Sequence, residues 1–301
     1  MIIPTMKNLF LALLLLTSFA GSAQQLNTSS FLELYSVLHN PATVGSHGHA
    51  IIGGSFKQQW SSMPGSPQTG VLYGQAHLSH VNLGLGGYLY HDVTGPTART
   101  GLQMAYAYHI PVKQGSFFSL GLEARLQQLS FDRAKLQAAL GTVDPVANAG
   151  NRIKADAGFG MAYTTPTLQV GAAVSQLVQS KYDLYEMAGT TLEQSQLYRH
   201  YYLHANVSLK VDETTACIPN ALLIYLPNAP LEVQAGARLE HSNLLWYGLG
   251  WRARQGWMIS AGLKLKKKFS IGYSFDIYSS PLNIYEKGSA GHELLLHYEF
   301  L

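Results

Sequence analysis

Twelve histidines and one cysteine are the side chains here best suited to metal or nucleophilic chemistry, so their spacing is weighed first. His47 and His49 flank Gly48 and, with His39, could in principle share a metal ion. Structural zinc sites need four such donors and catalytic sites three, held on a fixed scaffold. Histidines in a loop are ordinarily solvated, and no metal is expected. His292 and Glu293 are adjacent, but neighbouring side chains on a strand point to opposite faces, so the two diverge and form no local acid–base pair. Neither a G-x-S-x-G elbow nor an H-E-x-x-H motif occurs. Cys217 lies too far from the amino terminus to carry a lipid anchor and has no second cysteine to pair with. It reads as a small buried apolar residue. No catalytic residue, cofactor or enzyme activity is expected.

The elements around these residues are set by an unusual composition. Charged residues make up 12% of the chain, against about 25% in an ordinary soluble domain. A chain of this length cannot hide so much apolar material by size alone, so a lipid-facing surface is the simpler reading. Lys7, an apolar run over residues 9–16 and the small residues Gly21, Ser22 and Ala23 form the layout of a secretory signal cleaved after Ala23. Mean hydropathy is +0.03, too low for a bundle of membrane helices. Removing Lys7 takes the net charge from +3 to 3 − 1 = +2, too balanced for a nucleic-acid surface.

Period-two alternation dominates the rest. Phe118, Leu120, Leu122, Ala124 and Leu126 point one way, and Ser119, Gly121, Glu123, Arg125 and Gln127 the other. The same pattern recurs over residues 231–240, 257–266 and 269–277. Segments of this kind match the roughly 9–11 residues that cross a membrane at a tilt. About fourteen can be counted, an even number as bacterial barrels require; the ninth, over residues 219–226, is short and flanked by Pro219 and Pro227. Unpaired strand edges cannot face hydrocarbon, so the sheet must close. The expected architecture is all-β: a signal peptide over 1–23, a short periplasmic segment over 24–47, and a closed antiparallel transmembrane β-barrel over 48–301. Even-numbered connections are mostly tight, whereas residues 129–151, 178–198 and 278–290 form long odd-numbered ones, which places them outside the cell. Inward charges Glu123, Arg125, Glu232, Arg238, Glu240 and Lys264 are of mixed sign, suiting a lumen crossed by ion pairs or filled with water. A selective channel usually carries a ring of one sign.

A run of short motifs adds a family likeness. After the signal come Phe31-Leu32-Glu33-Leu34-Tyr35 and His39-Asn40-Pro41-Ala42-Thr43-Val44-Gly45. Trp60, Pro64-Gly65-Ser66-Pro67, Gly84-Leu85-Gly86, Asp92-Val93-Thr94-Gly95-Pro96, Leu120-Gly121-Leu122 and the closing Gly291-His292-Glu293-Leu294 follow in order. Together they resemble the PorP/SprF family of the type IX secretion system. Thr43, where an aromatic is usual, and Lys57, where an Arg is usual, depart from the pattern. The resemblance implies outer-membrane lipid, ring lipoproteins, motor components, and secreted cargo or adhesins with a C-terminal sorting domain as partners. It marks Asn40, Pro41, Ala42, Gly45, Trp60, Pro67, Gly95, Pro96, His292 and Glu293 as motif or partner-contact candidates, with residues 31–46 on the periplasmic side. Each also has a local reading: Asn40-Pro41 as a turn starter, Gly95-Pro96 as loop punctuation, Trp60 as an interfacial aromatic.

Two functions therefore compete: an assembly barrel that supports secretion or surface anchoring of cargo, and a general diffusion porin or small-molecule transporter. An outer-membrane phospholipase would need Ser and His at adjacent outward positions, and no such arrangement is evident.

Overall fold

The computed structural model describes residues 29–34, 36–141, 152–183, 194–227, 229–279 and 290–301. The signal-peptide expectation over 1–23 lies outside them. The first half of the sheet is β1 (Ala50–Gln58), β2 (Gln68–Leu78), β3 (Leu83–Thr94), β4 (Thr97–Lys113), β5 (Ser116–Phe131), β6 (Arg152–Thr164) and β7 (Leu168–Ser175). A small hairpin, β8 (Lys181–Asp183) and β9 (Gln194–Gln196), stands apart from it. The second half is β10 (His200–Val207), β11 (Leu209–Lys210), β12 (Thr215–Tyr225), β13 (Glu232–His241), β14 (Leu245–Arg252), β15 (Gly256–Leu265), β16 (Phe269–Tyr278) and β17 (Gly291–Phe300).

Every neighbouring pair in the ring is antiparallel: β1 pairs with β17, Ala50 opposite Phe300, and β10 pairs with both β7 and β12, which closes it. Counting β10 and β11 as one interrupted strand, the barrel has fourteen. Closure leaves no edge, the condition that hydrocarbon imposes. Alternation sorts the two faces as expected. Leu72, Leu122 and Leu249 are 65%, 59% and 54% exposed on the outside, whereas Gln103 and Ser119 are fully buried. An apolar belt this broad is incompatible with a water-facing surface.

Both ends of the barrel lie at one rim, together with tight turns at residues 114–115, 242–244 and 266–268. Ser242 and Asn243 both have positive φ, as do Lys266 and Lys267, the handedness that matches the twist of a hairpin. At the opposite rim β4 and β5 run to 17 and 16 residues, longer than expected. They absorb the start of the connection expected from residue 129, and a short helix, Arg133–Leu140, capped by the Asp132 side chain on Lys135 N, follows them. Likewise Gly95-Pro96 is the turn itself rather than the middle of a loop, so Asp92 and Arg99 pair across it. The ninth strand is longer than expected and contains Pro219 instead of starting there. The ladder to β10 and β11 lapses between Asn206↔Asn220 and Leu209↔Cys217, opposite the proline that has no N–H to give.

One expectation is corrected. The segment expected on the periplasmic side, residues 24–47, is not there in its described part: residues 29–34 and 36–45 run through the lumen. Phe31, Val37 and Val44 join the inward-facing Ile51, Val71, Tyr73, Trp246 and Leu295 in one buried apolar cluster. The physical reason is that the wall turns several apolar side chains inward, and only apolar chain can cover them.

Candidate functional site

The lumen segment is built from three 3-10 turns, Leu32–Leu34, Ser36–Leu38 and Pro41–Thr43. Asn40 caps the third: its Oδ1 accepts from Ala42 N at 2.9 Å, and Pro41 occupies the first turn where no N–H is required. The Asn40 amide donates to Met161 O at 3.0 Å and Ala172 O at 3.4 Å and lies 3.0 Å from His204 Nε2. Thr43 is fully buried and closes the turn with a 2.9 Å bond from its hydroxyl to Asn40 O. This suits a small hydroxyl residue at this position.

The wall receives this stretch on glycines. A Cβ at Gly121 would overlap the backbone of Pro41 and Ala42, one at Gly84 the carbonyl of Val44, and ones at Gly160 and Gly171 the Asn40 amide. Gly45, at φ +75°, ends the stretch against Gly84 and donates its N–H to Gln75 Oε1 at 3.0 Å.

The other end is held by charge. Ser29 Oγ donates to Glu293 Oε1 at 2.6 Å, Ser30 N to Glu293 Oε2 at 2.8 Å, and Ser30 Oγ to Asp276 Oδ1 at 2.9 Å. Lys57 Nζ lies 3.0 Å from Asp276 and 3.7 Å from Glu293. Gln234 Nε2 and Arg252 donate to Ser29 O at 3.1 and 3.4 Å. Phe31 then stands edge-on to Trp246, with ring centroids 5.7 Å apart. Elsewhere on the wall the inward charges pair across signs: Arg125 with Glu123 at 3.2 Å, Arg238 with Glu240 at 3.0 Å and Lys264 with Glu299 at 2.7 Å.

The motif residues thus fall in three places. Asn40, Pro41, Ala42 and Gly45 lie together in the lumen, and Glu293 lies there too, at the far end of the segment. Trp60, Pro67, Gly95 and Pro96 gather at the loop-bearing rim. Gln59 N donates to Pro67 O at 2.9 Å, Gly95 N to Gly65 O at 2.9 Å and Asp132 N to Pro96 O at 2.8 Å. Trp60 there packs near Tyr278, centroids 6.2 Å apart. His292 alone faces outward, 2.6 Å from the Tyr273 hydroxyl. The sequence reading missed Ser29 and Ser30 as partners of Glu293 and Gln234, Arg252 and Asp276 as the other side chains that hold them, and it left Lys57 without a role. A signal was present: Leu222, Trp246 and Leu295 are apolar at lumen-facing positions of alternating strands. Among the described residues no group of three His, Cys, Asp or Glu is arranged to hold a metal.

The model of the type IX secretion system membrane protein PorP/SprF matches residues 20–298 of the chain. No curated protein matches it. Among solved structures, the Pseudomonas putida toluene transporter TodX is similar at 9% identity and a TM-score of 0.49, covering 93% of this chain and 95% of that one. Acinetobacter baumannii Omp33 is similar at 9% identity and 0.45, covering 84% and 98%. The KdgM porin is similar at 9% and 0.42, covering 83% and 99%.

Proposed function

Since the chain belongs to the PorP/SprF family of type IX secretion system membrane proteins, we propose that it is a non-enzymatic assembly barrel of the outer membrane. It supports secretion or surface anchoring of cargo, such as adhesins that carry a C-terminal sorting domain, in concert with ring lipoproteins and motor components. The observation that carries this reading over a diffusion porin is the content of the lumen. A porin needs a continuous aqueous path, and here residues 29–34 and 36–45 lie across it, with Asn40, Ala42 and Thr43 wholly buried. A filled lumen leaves the rims as working surfaces: the loop-bearing one, with Trp60, Pro67, Gly95 and Pro96, for cargo, and the turn-bearing one for periplasmic partners.

Two measurements test it. Purified full-length protein in planar bilayers is expected to show no steady large currents, whereas sustained open conductance would favour the porin. Deletion of the gene is expected to strand a sorting-domain adhesin inside the cell, with display restored by the intact chain; unchanged surface display would sink the secretion role.

A further inference from the structure

The five side chains at the upper end of the lumen segment come from five strands: Lys57 of β1, Gln234 of β13, Arg252 of β14, Asp276 of β16 and Glu293 of β17. All are at most 5% exposed. Two cations and two anions make a neutral set, and the set is aimed at a peptide. Glu293 takes both a backbone N–H and a hydroxyl, Asp276 takes the second hydroxyl, and Gln234 and Arg252 take the carbonyl of Ser29. Lys57, 3.3 Å from Ser30 Oγ, bridges the peptide to both carboxylates. Charge-assisted bonds of this kind are the strong ones, and burial strengthens them further.

The depth of this cluster fixes the direction of the chain. Lys57 is next to last in β1, Arg252 is last in β14, and Asp276 is two residues from the end of β16, all at the rim that carries the long connections. At a rise of about 3.4 Å per strand residue, the cluster lies within roughly 7 Å of that rim. Gly45, sixteen residues on from Ser29, packs against Gly84 and the backbone of Ala76 and His77, beside the opposite rim where β1 begins. The polypeptide therefore descends the lumen from the loop-bearing end to the turn-bearing end.

We propose that Lys57, Gln234, Arg252, Asp276 and Glu293 form a peptide-binding site for residues 29 and 30 of the same chain, holding them at the outer rim so that the polypeptide enters the lumen from the side of the cell exterior. The proposal rests on the outer-membrane reading for which rim faces out.

Site-specific labelling in intact cells tests it. In a Cys217→Ala background, Gln25→Cys is expected to react with a membrane-impermeant maleimide equally well in intact and in outer-membrane-permeabilised cells. Met63→Cys in the β1–β2 connection and Glu213→Cys in the β11–β12 turn report orientation: the first should label in intact cells, the second only after permeabilisation. With both controls behaving so, labelling of Gln25→Cys only after permeabilisation, or not at all, overturns the proposal and leaves the secretion role standing. Reversed controls overturn the orientation and the proposal together. A further variant adds Asp276→Ala and Glu293→Ala to Gln25→Cys, its folding checked by heat-modifiable migration. Its labelling in intact cells is expected to drop about tenfold, the scale of losing bonds to charged groups; unchanged labelling of the folded variant shows that the cluster is not what holds the end.

Discussion

The two ends of the lumen segment are held by different physics. Around Asn40 the fit is one of shape: Gly84, Gly121, Gly160 and Gly171 offer bare backbone, and the polar contacts are largely hydrogen bonds to main chain. Around Ser29 it is one of charge, with Lys57 and Arg252 set against Asp276 and Glu293. Shape tolerates no added atom. The charged end tolerates some movement but not the loss of one partner, because removal leaves a buried charge uncompensated.

Breaking the charged end is expected to have the largest effect. Lys57→Met leaves Asp276 and Glu293, among the described residues, with Arg252, 3.9 Å from Asp276, as their cationic neighbour; it should lower stability to denaturant in detergent by about 3–5 kcal/mol. Gly121→Val attacks the shaped end, placing a branched side chain where Ala42 lies. Overpacking of this kind costs about 2–3 kcal/mol, and it should also displace the segment, seen as new protease cleavage within residues 29–45 and as open conductance in bilayers. Should Gly121→Val leave both unchanged, the glycine bed is not what seats the segment. Asn40→Ala removes the cap and the amide bonds to Met161 and Ala172, for about 1–2 kcal/mol by the same denaturation measurement.

The smallest effect lies outside the lumen. Bonds from the backbone and hydroxyl of Thr214, and then from Thr215, pull the exposed Asp212 carboxyl down from 3.8 to about 2. A carboxylate lowered on folding stabilises above its unfolded value and ceases to do so as pH falls through the folded one. The β11–β12 turn should therefore keep its structure to about pH 2, and Asp212→Asn should abolish that titration in carboxyl NMR while leaving the barrel intact.

The fold was largely legible because each barrel strand reports its own two faces. Leu120 and Leu122 against Ser119 and Glu123 is a local pattern that needs no knowledge of neighbours, and strand number, closure and tight turns follow from it. Where lengths were misjudged, as in β4 and β5, the extensions over residues 97–99, 112–113 and 128–131 have lost the alternation of buried and exposed positions that marks the rest of the strand. The candidate site was legible only as a set of motifs. Asn40 and Glu293 stood out by type and setting, yet nothing local distinguished a segment in the periplasm from one in the lumen.

What the amino-acid order determined unaided is the wall: an alternation of period two, lipid outside, polar and small residues within. What only the tertiary structure decided is the filling. Asn40 meets Met161, Ala172 and His204 across 121, 132 and 164 residues of sequence, and Ser29 meets Glu293 across 264. Alternation tells a side chain which way to face, but an inward polar residue looks the same whether water or a peptide awaits it. That choice rests on close fit and charge pairing between distant strands, which exist only once the ring has closed.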